Sequence, residues 1–179
     1  MKIFLINILT VSRMLLGVVI FLLLTITNYY WAAFFLFLIA GFTDYLDGHL
    51  ARKYKATSQI GEILDPIADK ILIVFLLFAI SVYLSSFYVA FIGAFIITRE
   101  VWVGALRDLN ARKSKSDATK VSFLAKIKTT IQLFTISTYL FGFAINSMLI
   151  VLIAEILLFL SLLITIYTGY QYTINTFKN

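Results

Sequence analysis

The sequence predicts an all-α integral membrane protein with six transmembrane helices and a short N-terminal interfacial helix. Three observations carry this. Of 179 residues, 61% are hydrophobic and only 13% charged, and the mean hydropathy is +0.98, a balance found in polytopic membrane chains. Apolar runs long enough to cross a hydrocarbon core of about 30 Å recur along the chain. The polar stretches between them are short, which leaves room for one domain, residues 1–179, and no second soluble one.

The charge balance excludes other classes. A net charge of +6 suggests nucleic acid only if the cations gather on one surface, and here fifteen Lys and Arg are spread over separate short segments. Cysteine is absent, so there is neither a disulfide framework nor a thiolate metal site. Any metal must be held by oxygen ligands.

In chain order, residues 1–7 form an apolar lead, and Arg13 interrupts the run that continues through residues 14–24. An interfacial helix turning into the first span near Arg13, with the arginine at headgroup level, is expected. No small-x-small site follows the run, so a cleaved signal peptide is not expected. The second span starts near Trp31 and continues as a helix beyond the membrane with Asp44, Asp47, Ala51 and Arg52. The third, residues 59–83, has its polar half first. The fourth, residues 88–107, has its polar half last. The fifth, residues 121–145, carries Lys126 and Lys128 in its first turns. The sixth, residues 148–172, is interrupted only by Glu155, for which a helix contact is expected.

Loop charge sets the orientation. Residues 28–31, 85–88 and 145–147 carry no charge, whereas HLARKYKATSQ and RDLNARKSKSDATK are strongly basic. Both termini and the basic loops are therefore expected on the cytoplasmic side of the cell (inner) membrane. Arg112, Lys113, Lys115 and Lys120 are read as topology determinants and anionic-lipid contacts.

The stretch 43–70, TDYLDGHLARKYKATSQIGEILDPIADK, holds five of the nine acidic residues and lies between two apolar runs. Asp44 and Asp47 are three apart and Asp65 and Asp69 four apart, so each pair shares a helix face. At a membrane such a cluster is costly without a cation, since a charge at a helix centre costs about 2.5–3.5 kcal/mol. Hard carboxylate oxygens suit Mg²⁺ or Mn²⁺, and two such ions close together form a phosphoryl-transfer device. Gly48 and Gly61 let a ligand approach the backbone, Ala51 extends that small-residue surface and Arg52 meets a phosphate. Pro66 sits early in the following helix or kinks it, and His49 is given no catalytic role. Further on, Arg99, Val103 and Arg107 recur at helical spacing, so both guanidiniums can bind one dianion. Lys126 and Lys128 are two apart and cannot share a face; Lys126 is expected in the site, with Lys128 the other candidate.

The pattern Asp44-x2-Asp47-Gly48-x2-Ala51-Arg52-x8-Gly61-x3-Asp65-x3-Asp69 resembles the signature of the CDP-alcohol phosphotransferases at every position. That resemblance implies a six-helix membrane fold, usually a homodimer, with two divalent ions on Asp44, Asp47, Asp65 and Asp69. It implies Asp69 as general base, and Asp44, Gly48, Ala51, Arg52, Gly61 and Asp65 as CDP-binding positions. The contexts LDPIADK, TREVWVGALR and KIKTTIQ, with Thr57 four residues before Gly61, look like the phosphatidylglycerophosphate synthase branch. The resemblance spans residues 7–132 and departs at Ala125, where that branch usually has glycine. It implies CDP-diacylglycerol and glycerol 3-phosphate as substrates, with Arg99, Arg107 and Lys126 on the acceptor phosphate. The rivals are a family member with another acceptor, such as phosphatidylglycerol, inositol phosphate or serine, and a divalent-cation transporter. The transporter would need acidic residues through the membrane, and the outer halves of spans one to five have none.

Overall fold

The computed structural model describes residues 2–54, 59–113 and 123–178, with backbone only at 2–7, 45, 47–54, 59, 60, 62 and 63. Six helices account for nearly all of it, with no strand among the described residues: α1 (Lys2–Leu22, extended by a π turn, Leu23–Thr27), α2 (Tyr30–Tyr54), α3 (Gln59–Leu84), α4 (Phe87–Arg112), α5 (Phe123–Ala144) and α6 (Met148–Phe177). The expected interfacial helix is not a separate element, because α1 runs through Arg13 without a turn. The expectation placed Arg13 among lipid headgroups; instead it is 1% exposed, since its charge is satisfied inside the bundle by carboxylates from α2 and α3.

Ile8–Thr27, Leu64–Leu84, Phe87–Arg112 and Met148–Phe177 are long and apolar enough to cross a bilayer. In α2 the apolar stretch is shorter, Tyr30–Asp44, because the helix continues into the acidic segment. The bundle is apolar outside and polar within, as a membrane protein requires. Leu15, Ile26, Phe87, Phe123 and Met148 are exposed, whereas Thr10, Lys128, Gln132, Thr135, Ser161, Thr165 and Thr168 are buried. Polar groups in a bilayer turn inward because lipid offers them no partner.

Each helix packs beside two others, giving a closed ring in the order α1, α2, α5, α6, α4, α3, with α3 also touching α5 across the middle. Gly17 allows the close α1–α3 approach: a Cβ there would lie 3.4 Å from the Leu72 Cα. Three tight connections reverse the chain, each with a residue of positive φ: Asn28 (57°), Ser85 (48°) and Asn146 (53°). They lie at one end of the bundle. Tyr30 beside the first turn stacks edge-on against Tyr83 beside the second at 5.3 Å, and Tyr83 lies 4.5 Å from Phe143 beside the third. The C-terminal end of α2 and the N-terminal end of α3, with their aspartates, therefore belong to the opposite end.

Candidate active site

At that opposite end, α1, α2 and α3 bring together an ionic cluster. Asp44 on α2 and Asp69 on α3 both accept from the Arg13 Nη1, the Asp69 contact at 2.5 Å. One helical turn away on each element, the Thr10 hydroxyl donates to Asp65 Oδ1 at 2.9 Å. Arg13 is sealed, while the Asp44 and Asp69 carboxylates are 47% and 45% exposed, so the guanidinium closes one side of the cluster and leaves its acidic face open. That face borders a small cavity of about 60 Å³ between α1, α2, α3 and α5.

A larger cavity of about 310 Å³ adjoins it, with Asp69 on the wall of both. It lies between α3, α4 and α5, and its polar lining is Asp69, Lys70, Arg99, Glu100, Arg107, Lys128, Thr129 and Gln132. Here the cations are partly self-neutralised. Glu100 accepts from Arg99 Nη1 at 2.9 Å and also from the Lys128 Nζ. Arg99 Nη2 donates to Thr168 Oγ1 at 2.9 Å. Two further bonds clamp α4 to α6: Trp102 Nε1 to Thr173 and Asn110 Nδ2 to Thr176, each 2.9 Å. The two chambers thus present carboxylates on one side of Asp69 and cations on the other, suited to a charged phosphate ester and a metal-bridged leaving group.

The donor set fits a divalent cation. Asp44 and Asp69, on different helices, already share a single positive group, so their oxygens can share an ion, and all donors are hard oxygens. Among the described residues no three metal-ligating side chains close on one point. Asp47, the fourth expected ligand, lies outside the described side chains, as do Gly48, Ala51 and Arg52, while Thr57 lies outside the described residues altogether.

A family model for CDP-alcohol phosphatidyltransferases matches residues 4–167. The chain belongs to the CDP-alcohol phosphatidyltransferase family. Relatives named CDP-diacylglycerol–glycerol-3-phosphate 3-phosphatidyltransferase are similar to it. The Haemophilus influenzae protein is 38% identical over 137 residues, covering 76% of this chain and 72% of its own length. The one from Wigglesworthia glossinidia brevipalpis is 36% identical over 140 residues, covering 76% and 77%.

In this member of the phosphatidyltransferase family, Gly61 is buried in the first turn of α3, with Pro66 inside the same helix. Arg99 and Arg107 reach one cavity, as their spacing predicts. The structure places the two lysines of α5 on opposite sides, with the expected Lys126 outside the cavity. Lys126 is exposed on the outer face of α5 with Phe123 and Phe134, whereas Lys128 is 5% exposed and lines the cavity. The reason is helix rotation: Ala125, Lys128, Gln132, Thr135 and Tyr139 recur at helical spacing and form the buried stripe of α5. Ala125, at the position of the expected glycine, is 8% exposed and belongs to a buried apolar cluster that includes Val103, Leu106 and Tyr172.

Several residues escaped the sequence reading. Arg13 carried a signal, since an arginine within an apolar run is a functional candidate by default. Glu100 adjoins Arg99 but its spacing says nothing of Lys128. Thr10, Thr168 and Tyr172 carried no signal. Glu155 belongs to neither chamber; its main-chain oxygen accepts from the Tyr88 hydroxyl at 3.2 Å, at the α4–α6 contact.

Proposed function

We propose that this family member transfers the phosphatidyl group of CDP-diacylglycerol to sn-glycerol 3-phosphate, giving phosphatidylglycerol phosphate and CMP. The observation that carries this reading is Asp69, which lies on the wall between a carboxylate chamber and a cationic one. A donor pyrophosphate with its metal suits the first, and an acceptor phosphate suits the second.

In this mechanism Asp44, Asp47, Asp65 and Asp69 would hold two ions, Mg²⁺ or Mn²⁺, which when bound neutralise the pyrophosphate and stabilise the leaving CMP. Gly48, Ala51, Arg52 and Gly61 receive the CDP moiety. Arg99, Arg107 and Lys128, which line one cavity, hold the acceptor phosphate through charge-assisted bonds, Arg99 being held in place by Glu100 and Thr168. Asp69 takes the proton of the acceptor C1 hydroxyl as that oxygen attacks the β-phosphorus, and the bond from that phosphorus to the CMP oxygen breaks. Binding the acceptor near Asp69 converts an encounter into an oriented reaction. The acyl chains remain in the bilayer. The loop charges support a site at the cytoplasmic face of the cell membrane, and the family resemblance supports a homodimer.

The test is CMP release by the purified protein with CDP-diacylglycerol, Mg²⁺ and a panel of acceptors. Release that depends on sn-glycerol 3-phosphate is expected. Release with phosphatidylglycerol, inositol phosphate or serine, and none with glycerol 3-phosphate, would assign another acceptor.

A further inference from the structure

The arginines of the cationic chamber are seated on a part of α6 that lies beyond residue 167, where the family match ends. We propose that Tyr172, with Gly169 and Thr168 beside it, is a positioning residue for the acceptor anion, its ring being the common seat that brings Arg99 and Arg107 to bear on one phosphate. This rests on the reading that the cavity takes the acceptor phosphate.

Arg99 and Arg107 are eight residues apart, about 12 Å along the α4 axis. Two like charges on long side chains repel, and each loses rotamer freedom when fixed, so their spacing on α4 does not by itself make them converge. Tyr172 does. The Arg99 and Arg107 guanidinium carbons lie 5.5 Å and 5.7 Å from its ring centroid. Both distances fall within the reach of a cation–π attraction, which strengthens where water is excluded, as it is between Tyr172, 3% exposed, and Arg99, 9% exposed, while Arg107 meets the ring from the exposed side.

Two neighbours on α6 complete the seat. Thr168, fully buried, accepts from Arg99 Nη2 at 2.9 Å. At Gly169 a Cβ would lie 3.1 Å from the Arg99 Cγ, so the arginine stem lies against bare backbone. Three successive features of one helix face thus hold Arg99 in place, and the ring reaches on to Arg107. Among the described side chains, Asp44, Asp65 and Asp69 bond to Arg13 and Thr10 on α1 and not to this face of α6, so the effect of the seat falls on the acceptor.

A packing role is the competing account, because Tyr172 belongs to one buried apolar cluster with Val103, Leu106 and Ala125. Packing alone would change stability and not the affinity for one substrate. The experiment measures kcat and both KM values for wild type, Tyr172→Leu, Tyr172→Phe and Gly169→Ala in mixed micelles. Tyr172→Leu should raise the KM for glycerol 3-phosphate about tenfold, with kcat and the KM for CDP-diacylglycerol within about twofold of wild type. Tyr172→Phe, which keeps the ring, should restore it. Gly169→Ala should raise the same KM by displacing Arg99. The proposal is overturned if folded Tyr172→Leu leaves that KM unchanged, if both KM values rise together, or if Tyr172→Phe behaves like Tyr172→Leu. Should Tyr172→Leu not fold, an unchanged KM in Gly169→Ala overturns it. Absence of acceptor-dependent CMP release in wild type would instead remove the functional reading beneath it.

Discussion

Arg13 Nη1 stands 2.5 Å from Asp69 Oδ1, joining residues 56 positions apart in the chain. The same nitrogen also binds Asp44, so one guanidinium ties α1 to α2 and α3 at the acidic face. Arg13→Gln removes that charge and leaves two carboxylates facing each other. A hydrogen bond to a charged group contributes about 1.5–3 kcal/mol, and the partial exposure of both aspartates places this one at the lower end. In divalent-free detergent the unfolding midpoint should drop by roughly 3–6 °C. Added Mg²⁺ should recover more of the midpoint in Arg13→Gln than in wild type, because the ion replaces the lost charge. Equal midpoints for the two proteins without Mg²⁺ would show that the pair adds nothing to the fold.

The carboxylates themselves should be needed for turnover and not for folding. Asp69→Asn removes the proposed base, and loss of a positioned general base costs about 100- to 10,000-fold. Asp44→Asn and Asp65→Asn should be comparably inactive, although the amide oxygen introduced by Asp65→Asn can still accept from the Thr10 hydroxyl. CMP release and size-exclusion profiles check this together. Near-normal turnover in any two of the three at low Mg²⁺ would rule out a shared metal site.

Burial separates the two lysines of α5. Lys128→Gln removes a cation from the cavity and a partner from Glu100, and should raise the KM for glycerol 3-phosphate about tenfold or more. Lys126→Gln changes an exposed position and should leave that KM within about twofold. The reverse ranking would return the site to Lys126.

Sidedness can be read by labelling, since the chain has no cysteine of its own. Phe87→Cys and Ser147→Cys lie at the tight-turn end, Phe87 being 81% exposed, and avoid the positive-φ positions where a substitution adds strain. Both should react with an impermeant maleimide on intact cells, and Ser114→Cys in the basic loop should not. Reaction at Ser114→Cys alone would invert the orientation.

Local chemistry along the chain was enough for much of this. Apolar runs of bilayer length gave the helical membrane class, and the uncharged stretches near Asn28, Ser85 and Asn146 marked the three tight reversals. The spacing of Asp65 with Asp69, and of Arg99 with Arg107, showed which side chains share a face, because helical periodicity is a property of neighbours. What spacing could not supply was the rotation of each helix and its partners. Lys128 turned inward because α5 buries the stripe from Ala125 to Tyr139, a preference decided by α2, α3 and α6 together. Arg13 turned into the bundle because carboxylates 31 and 56 residues away offered its charge partners there. Tyr172 met Arg99 and Arg107 only because the ring of helices closes α6 against α4. Contacts of this kind depend on distant segments arriving at one place, and only the folded bundle fixes that arrival.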